Sequence, residues 1–152
     1  MRKTIQNLII NSLVLLVFLM FSSSSFSQTI SGKWKTIDDE TGEEKSIVQI
    51  WKAKDGLFYG KIMKLFDESK KDNVCDKCDE DDPRYNQKVV GMKIIMKMKK
   101  TDANEWTGGT ILDPNNGKVY KCKLSRDGDK LAVRGFIGFS LIGRTQTWVP
   151  MK

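Results

Sequence analysis

Histidine is absent from this chain of 152 residues, and cysteine and proline occur only three times each. Because histidine is the commonest general base and a common metal ligand, its absence excludes Ser-His-Asp hydrolysis, Cys-His proteolysis and histidine-ligated zinc sites. Enzymes that use two carboxylates stay open. The composition therefore favours a non-catalytic protein, and we expect neither a cofactor nor a metal ion.

Long apolar runs are equally scarce, since the chain has one, at residues 8–21. Two basic residues precede this run, and Ser25 and Ser27 put small side chains at positions −3 and −1 before Gln28. A membrane-spanning helix needs about 20 apolar residues, whereas a signal peptide has this length and these flanks. The pattern predicts a signal peptide over residues 1–27, cleaved between Ser27 and Gln28, and a soluble product in the periplasm or outside the cell.

The mature chain, residues 28–152, has the length of one domain and an uneven charge. It carries 24 Lys and Arg against 19 Asp and Glu, a net charge of +5, although residues 67–82 alone have a net charge of −5. A basic body attracts anionic partners. The lysines alternate with apolar residues, which indicates that they form a solvated outer face. In addition, an exported protein rarely meets nucleic acid. We therefore expect no nucleic-acid partner.

Hydrophobicity alternates with a period of two, and Asp, Asn and Gly turn signals recur every eight to twelve residues. This spacing is typical of β-sandwiches and β-barrels. Closure into a barrel removes exposed sheet edges. We predict an all-β fold, a single antiparallel β-barrel of about eight strands. The predicted strands are residues 30–37, 46–53, 57–66, 91–99, 106–112, 118–125, 131–137 and 144–149.

The fourth predicted strand has its methionines and its lysines on opposite faces. The pattern places Met92, Met96 and Met98 inward, with three lysines outward. Thioethers can bind Cu(I), and Met63 could lie across from this row, but methionine is also a flexible filler of cores and pockets. Alternation with lysine favours the core or pocket interpretation.

The long segment at residues 67–88, called the acidic loop here, contains Cys75 and Cys78. A thioredoxin-like couple would need a lowered thiol pKa, whereas the surrounding carboxylates raise it. A cysteine-rich zinc site cannot be completed with a single further cysteine. These arguments favour a structural disulfide in an oxidising compartment. The third cysteine, Cys122, is predicted as a buried thiol, with the alternative that it resolves the loop pair.

The first and last predicted strands become neighbours in a closed barrel. Trp34 follows Gly32 on the first, and Arg144 begins the last. This resembles the Gly-x-Trp start and the terminal arginine of lipocalins and related calycins. The resemblance implies that Arg144 packs near the Trp34 indole at one barrel end, and we expect a sandwich instead if these two side chains lie far apart.

A second resemblance covers about residues 30–148. It rests on the segments GKWKT at 32–36, DETG at 39–42, CDKC at 75–78, GGTILDP at 108–114, GKVY at 117–120 and VRGFIG at 133–138, together with GRTQTW at 143–148. These segments are similar to the bacterial exported family catalogued as domain of unknown function 2147. The family resemblance implies an exported barrel-like domain and no established activity.

Binding of a small, partly apolar or lipid-like molecule in the barrel lumen or mouth is the function we expect. A filled-core module that binds envelope proteins stays an alternative, and a thiol-redox protein is a weaker one. Alternation alone leaves open whether Arg134 faces the lumen. The candidate ligand-binding residues are aromatic, methionine and arginine side chains of the predicted strands: Trp34, Tyr59, Met96, Trp106, Arg134, Arg144 and Trp148.

Overall fold

A computed structural model describes residues 29–151, which form eight antiparallel strands and one short 3-10 helix at Glu68–Lys70. The signal peptide predicted over residues 1–27 lies outside the described residues. The strands are β1 (Gly32–Ile37), β2 (Glu44–Lys52), β3 (Phe58–Leu65), β4 (Lys93–Lys100), β5 (Glu105–Asp113), β6 (Lys118–Asp127), β7 (Lys130–Phe136) and β8 (Gly143–Pro150).

The sheet is a closed barrel in which every strand pairs with its neighbours in sequence and β1 also pairs with β8. At this seam Trp34 lies opposite Pro150 and Thr36 lies opposite Trp148. The predicted barrel of about eight strands is therefore confirmed. Each strand end lies within two residues of its predicted position, because Asp- and Gly-rich turns stop the alternating pattern close to the true ends.

The barrel has two different ends. Short turns join β2 to β3, β4 to β5 and β6 to β7 at one end, which we call the base. The other end, which we call the mouth, is surrounded by the connections at residues 38–43, 66–92, 114–117 and 137–142, three of which are longer than any turn at the base.

The strict alternation predicted for β4 is wrong in its centre. Ile94 and Ile95 are both buried, Met96 is only half-buried, and Met98 returns to the core. Lys97 has a φ of 56°, and the register of β4 against β3 shifts here, as at a β-bulge. The bulge moves Met96 off the inner face, which a period-two pattern cannot foresee.

Large side chains fill the base of the barrel. Phe58 and Trp106 meet edge to face with their ring centroids 5.9 Å apart. Leu124 and Leu131 are fully buried with them, and Ile30, before the first strand, is buried as well. Packing of this kind leaves the base closed, so open space inside the barrel lies toward the mouth.

The arginine that packs on Trp34 is Arg126. The prediction that Arg144 packs near this indole is therefore wrong. The Arg126 guanidinium lies 5.4 Å from the indole centroid, and the indole N–H donates to the Ile30 carbonyl at 2.9 Å. Trp34 is level with Pro150 on β8, so Arg144 lies six residues further along that strand, roughly 20 Å away. The barrel nevertheless closes, and the sandwich expected for such a separation is also wrong.

The acidic loop is ordered rather than free. The Asp67 carboxylate accepts from the Ser69 amide and caps the 3-10 helix, and Val74 forms a β-bridge with Lys88. Cys75 and Cys78 are joined in a disulfide with their Cα atoms 5.4 Å apart. Over residues 29–151 no helix is long and apolar enough to cross a membrane.

Candidate ligand site at the barrel mouth

A cavity of about 910 Å³ occupies the mouth and is open to solvent. It extends from the rim loops to the inner faces of the strands, above the packed base. Its wall is apolar in the lower part and charged at the rim. The inner-face residues that line it are Thr36, Ser46, Ile62, Leu65, Ile111, Tyr120, Val133, Gly135, Gln146 and Trp148.

A row of polar groups crosses β2, β1 and β8 in the lower wall. Thr36 lies between Ser46 and Trp148 in the strand pairing. The Thr36 and Ser46 hydroxyls are 2.9 Å apart, and the Ser46 amide donates to the Thr36 hydroxyl at 3.1 Å. The Trp148 indole donates to the Gln146 side-chain oxygen at 3.2 Å. These groups satisfy one another and offer a few fixed polar positions on an apolar wall.

The opposite wall, on β5 to β7, is apolar and leaves room at Gly135. A Cβ atom at Gly135 would lie 3.4 Å from the Tyr120 Cβ and 3.5 Å from Ile111 Cγ2, which is ordinary van der Waals contact. A larger side chain at this position would fill cavity space. The Tyr120 hydroxyl accepts from the side-chain Nδ2 of Asn116 at 3.0 Å, which holds the ring against the rim.

An ion pair closes one side of the rim. The Arg144 Nε donates to both Asp39 carboxylate oxygens at 2.7 and 2.6 Å, and an Arg144 terminal nitrogen lies 3.5 Å from Glu40. Hydrogen bonding to Arg144 holds the pKa of Asp39 below its usual range. The pair ties the loop between β1 and β2 to the start of β8.

Two of the carboxylates at the cavity, Asp38 and Asp67, are engaged in their own turns. The Asp38 carboxylate accepts from the Thr41 amide at 2.9 Å, and this bond is the main cause that lowers the pKa of Asp38. Hydrogen bonds from Ser69 and Lys70 lower the pKa of Asp67. A general acid needs a raised pKa, so both shifts run against that role. Within residues 29–151 no cluster of three or more Cys, Asp or Glu side chains could hold a metal ion.

The acidic loop supplies one wall of the mouth because it is packed against the turn between β5 and β6. A Cβ atom at Gly117 would lie 1.7 Å from the Lys77 carbonyl oxygen, so only glycine permits this contact. The Lys77 ammonium donates to the Asn115 carbonyl at 3.2 Å, and both cysteines of the disulfide are buried. The unusual length of the loop and its Cys-x-x-Cys motif set this segment apart in the sequence, but neither feature predicted that it would line the mouth.

Two of the seven candidate residues line the cavity, Arg144 at the rim and Trp148 in the lower wall. Trp34 and Trp106 belong to the packed base. The structure thus does not bring the seven together.

The other three lie away from the cavity. Tyr59 stacks on Trp51 at 6.1 Å between centroids and donates its hydroxyl to Asp55 at 2.6 Å. Met96 is half-buried at the bulge. Arg134 donates to the Ser140 carbonyl at 2.7 Å and so supports the loop between β7 and β8.

Sequence reasoning missed the small polar residues of the site. Thr36 shares the inner face of β1 with Trp34, and Gln146 shares the inner face of β8 with Trp148. Because side chains two residues apart on a strand lie on the same face, counting two residues from each tryptophan would have identified both. Cys122 is a free, buried thiol, as predicted, and burial raises its pKa to about 12.

Residues 32–149 match a bacterial protein family described as an uncharacterized protein conserved in bacteria, DUF2147. The chain belongs to the DUF2147 family. The match covers every strand of the barrel, from the start of β1 to the penultimate residue of β8. No curated protein matches the chain.

The fold is similar to that of protein HP1028 from the human pathogen Helicobacter pylori, which belongs to the lipocalin family. The similarity has a TM-score of 0.71 at 19% sequence identity, and it covers 82% of this chain and 84% of the other. At this identity the likeness shows a shared barrel fold. The lipocalin-like fold expected from the sequence is therefore confirmed.

Proposed function

We propose that this DUF2147 protein binds a small, partly apolar molecule in the mouth cavity without transforming it. The observation that carries the proposal is the cavity of about 910 Å³, whose size is that of a small-molecule site. Its lower wall combines aliphatic and aromatic side chains with the Thr36 and Ser46 hydroxyls. Such a wall buries an apolar body and orients one or two polar groups.

The rim chemistry supports binding rather than catalysis. Asp38 and Asp67 are held by hydrogen bonds within their own loops, with pKa values lowered. The chain has no histidine to act as a general base near neutral pH. The lipocalin-like fold of the relative is consistent with a binding protein. The cavity also favours this proposal over a filled-core interaction module.

We further propose that the protein acts after export, with residues 1–27 removed. The basic start, the apolar run at residues 8–21 and the small residues before Gln28 support this compartment, as does the Cys75–Cys78 disulfide. Cell fractionation followed by N-terminal sequencing tests it. A mature chain that starts at Gln28 is expected, and a cytosolic protein that retains Met1 would refute export.

The binding proposal is tested by filling the cavity. Gly135→Leu places a side chain into the cavity beside Tyr120 and Ile111, while Ala132→Leu adds the same side chain to the outer face of the same strand. Both variants are titrated with the amphiphilic dye 1-anilinonaphthalene-8-sulfonate, and thermal unfolding checks their fold. We expect Gly135→Leu to weaken dye binding roughly tenfold or more and Ala132→Leu to bind as the wild type does. Equal binding by Gly135→Leu would exclude the mouth cavity as the site.

A further inference from the structure

The loop between β7 and β8, residues 137–142, exposes four large apolar side chains in six residues. Ile137, Phe139, Leu141 and Ile142 are 63%, 82%, 89% and 71% exposed. Single exposed apolar residues are ordinary, but a contiguous group on a protruding loop marks an interaction site. We call residues 137–142 the apolar loop.

The conformation of the apolar loop is fixed from below. The Arg134 guanidinium donates to the Ser140 and Leu141 carbonyls at 2.7 and 3.2 Å, and the Lys121 ammonium donates to the Gly138 carbonyl at 3.4 Å. These bonds satisfy backbone carbonyls and leave the apolar side chains exposed, with Phe139 and Leu141 at the tip the most exposed of the four. The loop is therefore presented to an outside partner rather than folded onto the core.

Two cations lie beneath the apolar loop, and Arg144, which follows the loop, is paired with the Asp39 and Glu40 carboxylates of the neighbouring loop between β1 and β2. The two side chains that hydrogen-bond to its backbone, Arg134 and Lys121, are both cations. The acidic loop follows β3, four strands away in the closed barrel of eight, and so lies on the opposite side of the mouth. A tilt that lowers the apolar loop onto an anionic surface therefore raises the acidic loop away from it.

We propose that the apolar loop docks the protein on the surface of an anionic lipid bilayer, with Phe139 and Leu141 inserted among the acyl chains. A short convex tip of apolar side chains with cations beneath it suits an interface of headgroups over hydrocarbon. Ile137 and Ile142 also line the mouth cavity, so docking brings the cavity opening to the lipid surface. An amphiphilic molecule could then pass between bilayer and cavity without crossing water.

The test is co-sedimentation of the chain from Gln28 onward, which contains every strand of the closed barrel, with vesicles. Residues 1–27 are omitted because their apolar run would bind vesicles by itself. One set of vesicles contains phosphatidylcholine and phosphatidylglycerol, and the other contains phosphatidylcholine alone. We expect stronger binding to the anionic set and a decrease in binding when the salt concentration rises.

Two matched variants separate the loop from general apolar exposure. Phe139→Ser with Leu141→Ser removes the tip, whereas Met63→Ser with Val119→Ser removes exposed apolar side chains from the barrel wall. We expect the first pair to weaken vesicle binding roughly tenfold or more and the second to leave it unchanged. Unfolding curves check that both variants fold.

A fluorescent label reports the depth of the loop. Ser140→Cys carries an environment-sensitive dye within the apolar loop, and Asp129→Cys carries it in the turn at the base. The native Cys122 thiol is buried and stays unlabelled. Vesicles should shift the emission of the first label to the blue and leave the second unchanged.

Three results would overturn the proposal. The wild type could remain in solution with both kinds of vesicle, or the Phe139 and Leu141 variant could bind as the wild type does. The chain could also form a dimer that this variant dissociates, which would show that a second copy covers the apolar loop. None of these results bears on dye binding by Gly135→Leu, so the cavity proposal is tested separately.

Discussion

The contact between Arg126 and Trp34 gives a prediction about how the base of the barrel is closed. Trp34 is 2% exposed, donates its indole N–H to the Ile30 carbonyl, and has the Arg126 guanidinium 5.4 Å from its ring centroid. Truncation of a buried large aromatic costs about 3–5 kcal/mol, so Trp34→Ala should lower the free energy of unfolding by that amount. For a domain of this size the melting temperature should fall by roughly 10–20 °C.

A double-mutant cycle isolates the arginine. Trp34→Leu, Arg126→Met and the double variant are unfolded in urea, and the coupling energy is taken from the three changes in free energy. A cation on an aromatic face at a partly exposed site contributes about 0.5–2 kcal/mol, so a coupling in this range is expected. The control cycle with Arg144→Met in place of Arg126→Met should give a coupling energy near zero, because Arg144 lies at the mouth. Coupling to Arg144 and none to Arg126 would refute the assignment of the base.

Three other contacts give shorter predictions. Replacement of Cys75 and Cys78 by serine should lower the free energy of unfolding by about 2 kcal/mol or less, because the disulfide closes a very short ring. Protease cleavage of the acidic loop should become faster, and a loss of the whole fold would contradict this prediction. Arg144 lowers the pKa of Asp39, so the tie between them is present at neutral pH and is lost as the pH falls through the lowered pKa. The protection factors of the amides in the loop between β1 and β2, which compare observed with intrinsic exchange rates, should therefore decrease in acid. Asp39→Asn should lower protection at neutral pH and leave only the acid dependence that comes from Asp38, and unchanged protection in this variant would refute the tie. Arg134→Gln should speed hydrogen exchange in residues 137–142 and leave global unfolding within about 1 kcal/mol, and an unchanged exchange rate would show that the arginine does not hold the loop.

The fold followed from the sequence because its signals are local. Alternation and Asp- and Gly-rich turns located every strand, and short hairpins between sequence neighbours left a sandwich and a barrel as alternatives. The bulge at Lys97 was missed because it depends on the register against β3.

The site was harder to predict because its residues meet only through the barrel closure. Trp148 and Arg144 are the two predicted candidates that line the cavity, whereas Thr36 and Ser46 are small, common residues that nothing in the sequence marks as facing it. Arg144 was wrongly predicted as the partner of Trp34 because the level of a residue along β8 relative to β1 depends on the register between these two strands, which the sequence does not show. Whether Arg134 points into the lumen was left open for the same reason. The face on which its side chain lies is set by its pairing with Thr145 on β8.

Binding in the mouth cavity is tested most directly by native mass spectrometry of the protein purified from the envelope of its own bacterium. The wild type is predicted to carry a small molecule whose mass adds to that of the mature chain, and collisional activation should release it. Gly135→Leu, expressed and purified in the same way, should appear without this mass, and Ala132→Leu should retain it. A wild type without added mass, or equal retention by Gly135→Leu, would contradict the proposal that the mouth cavity is a ligand site.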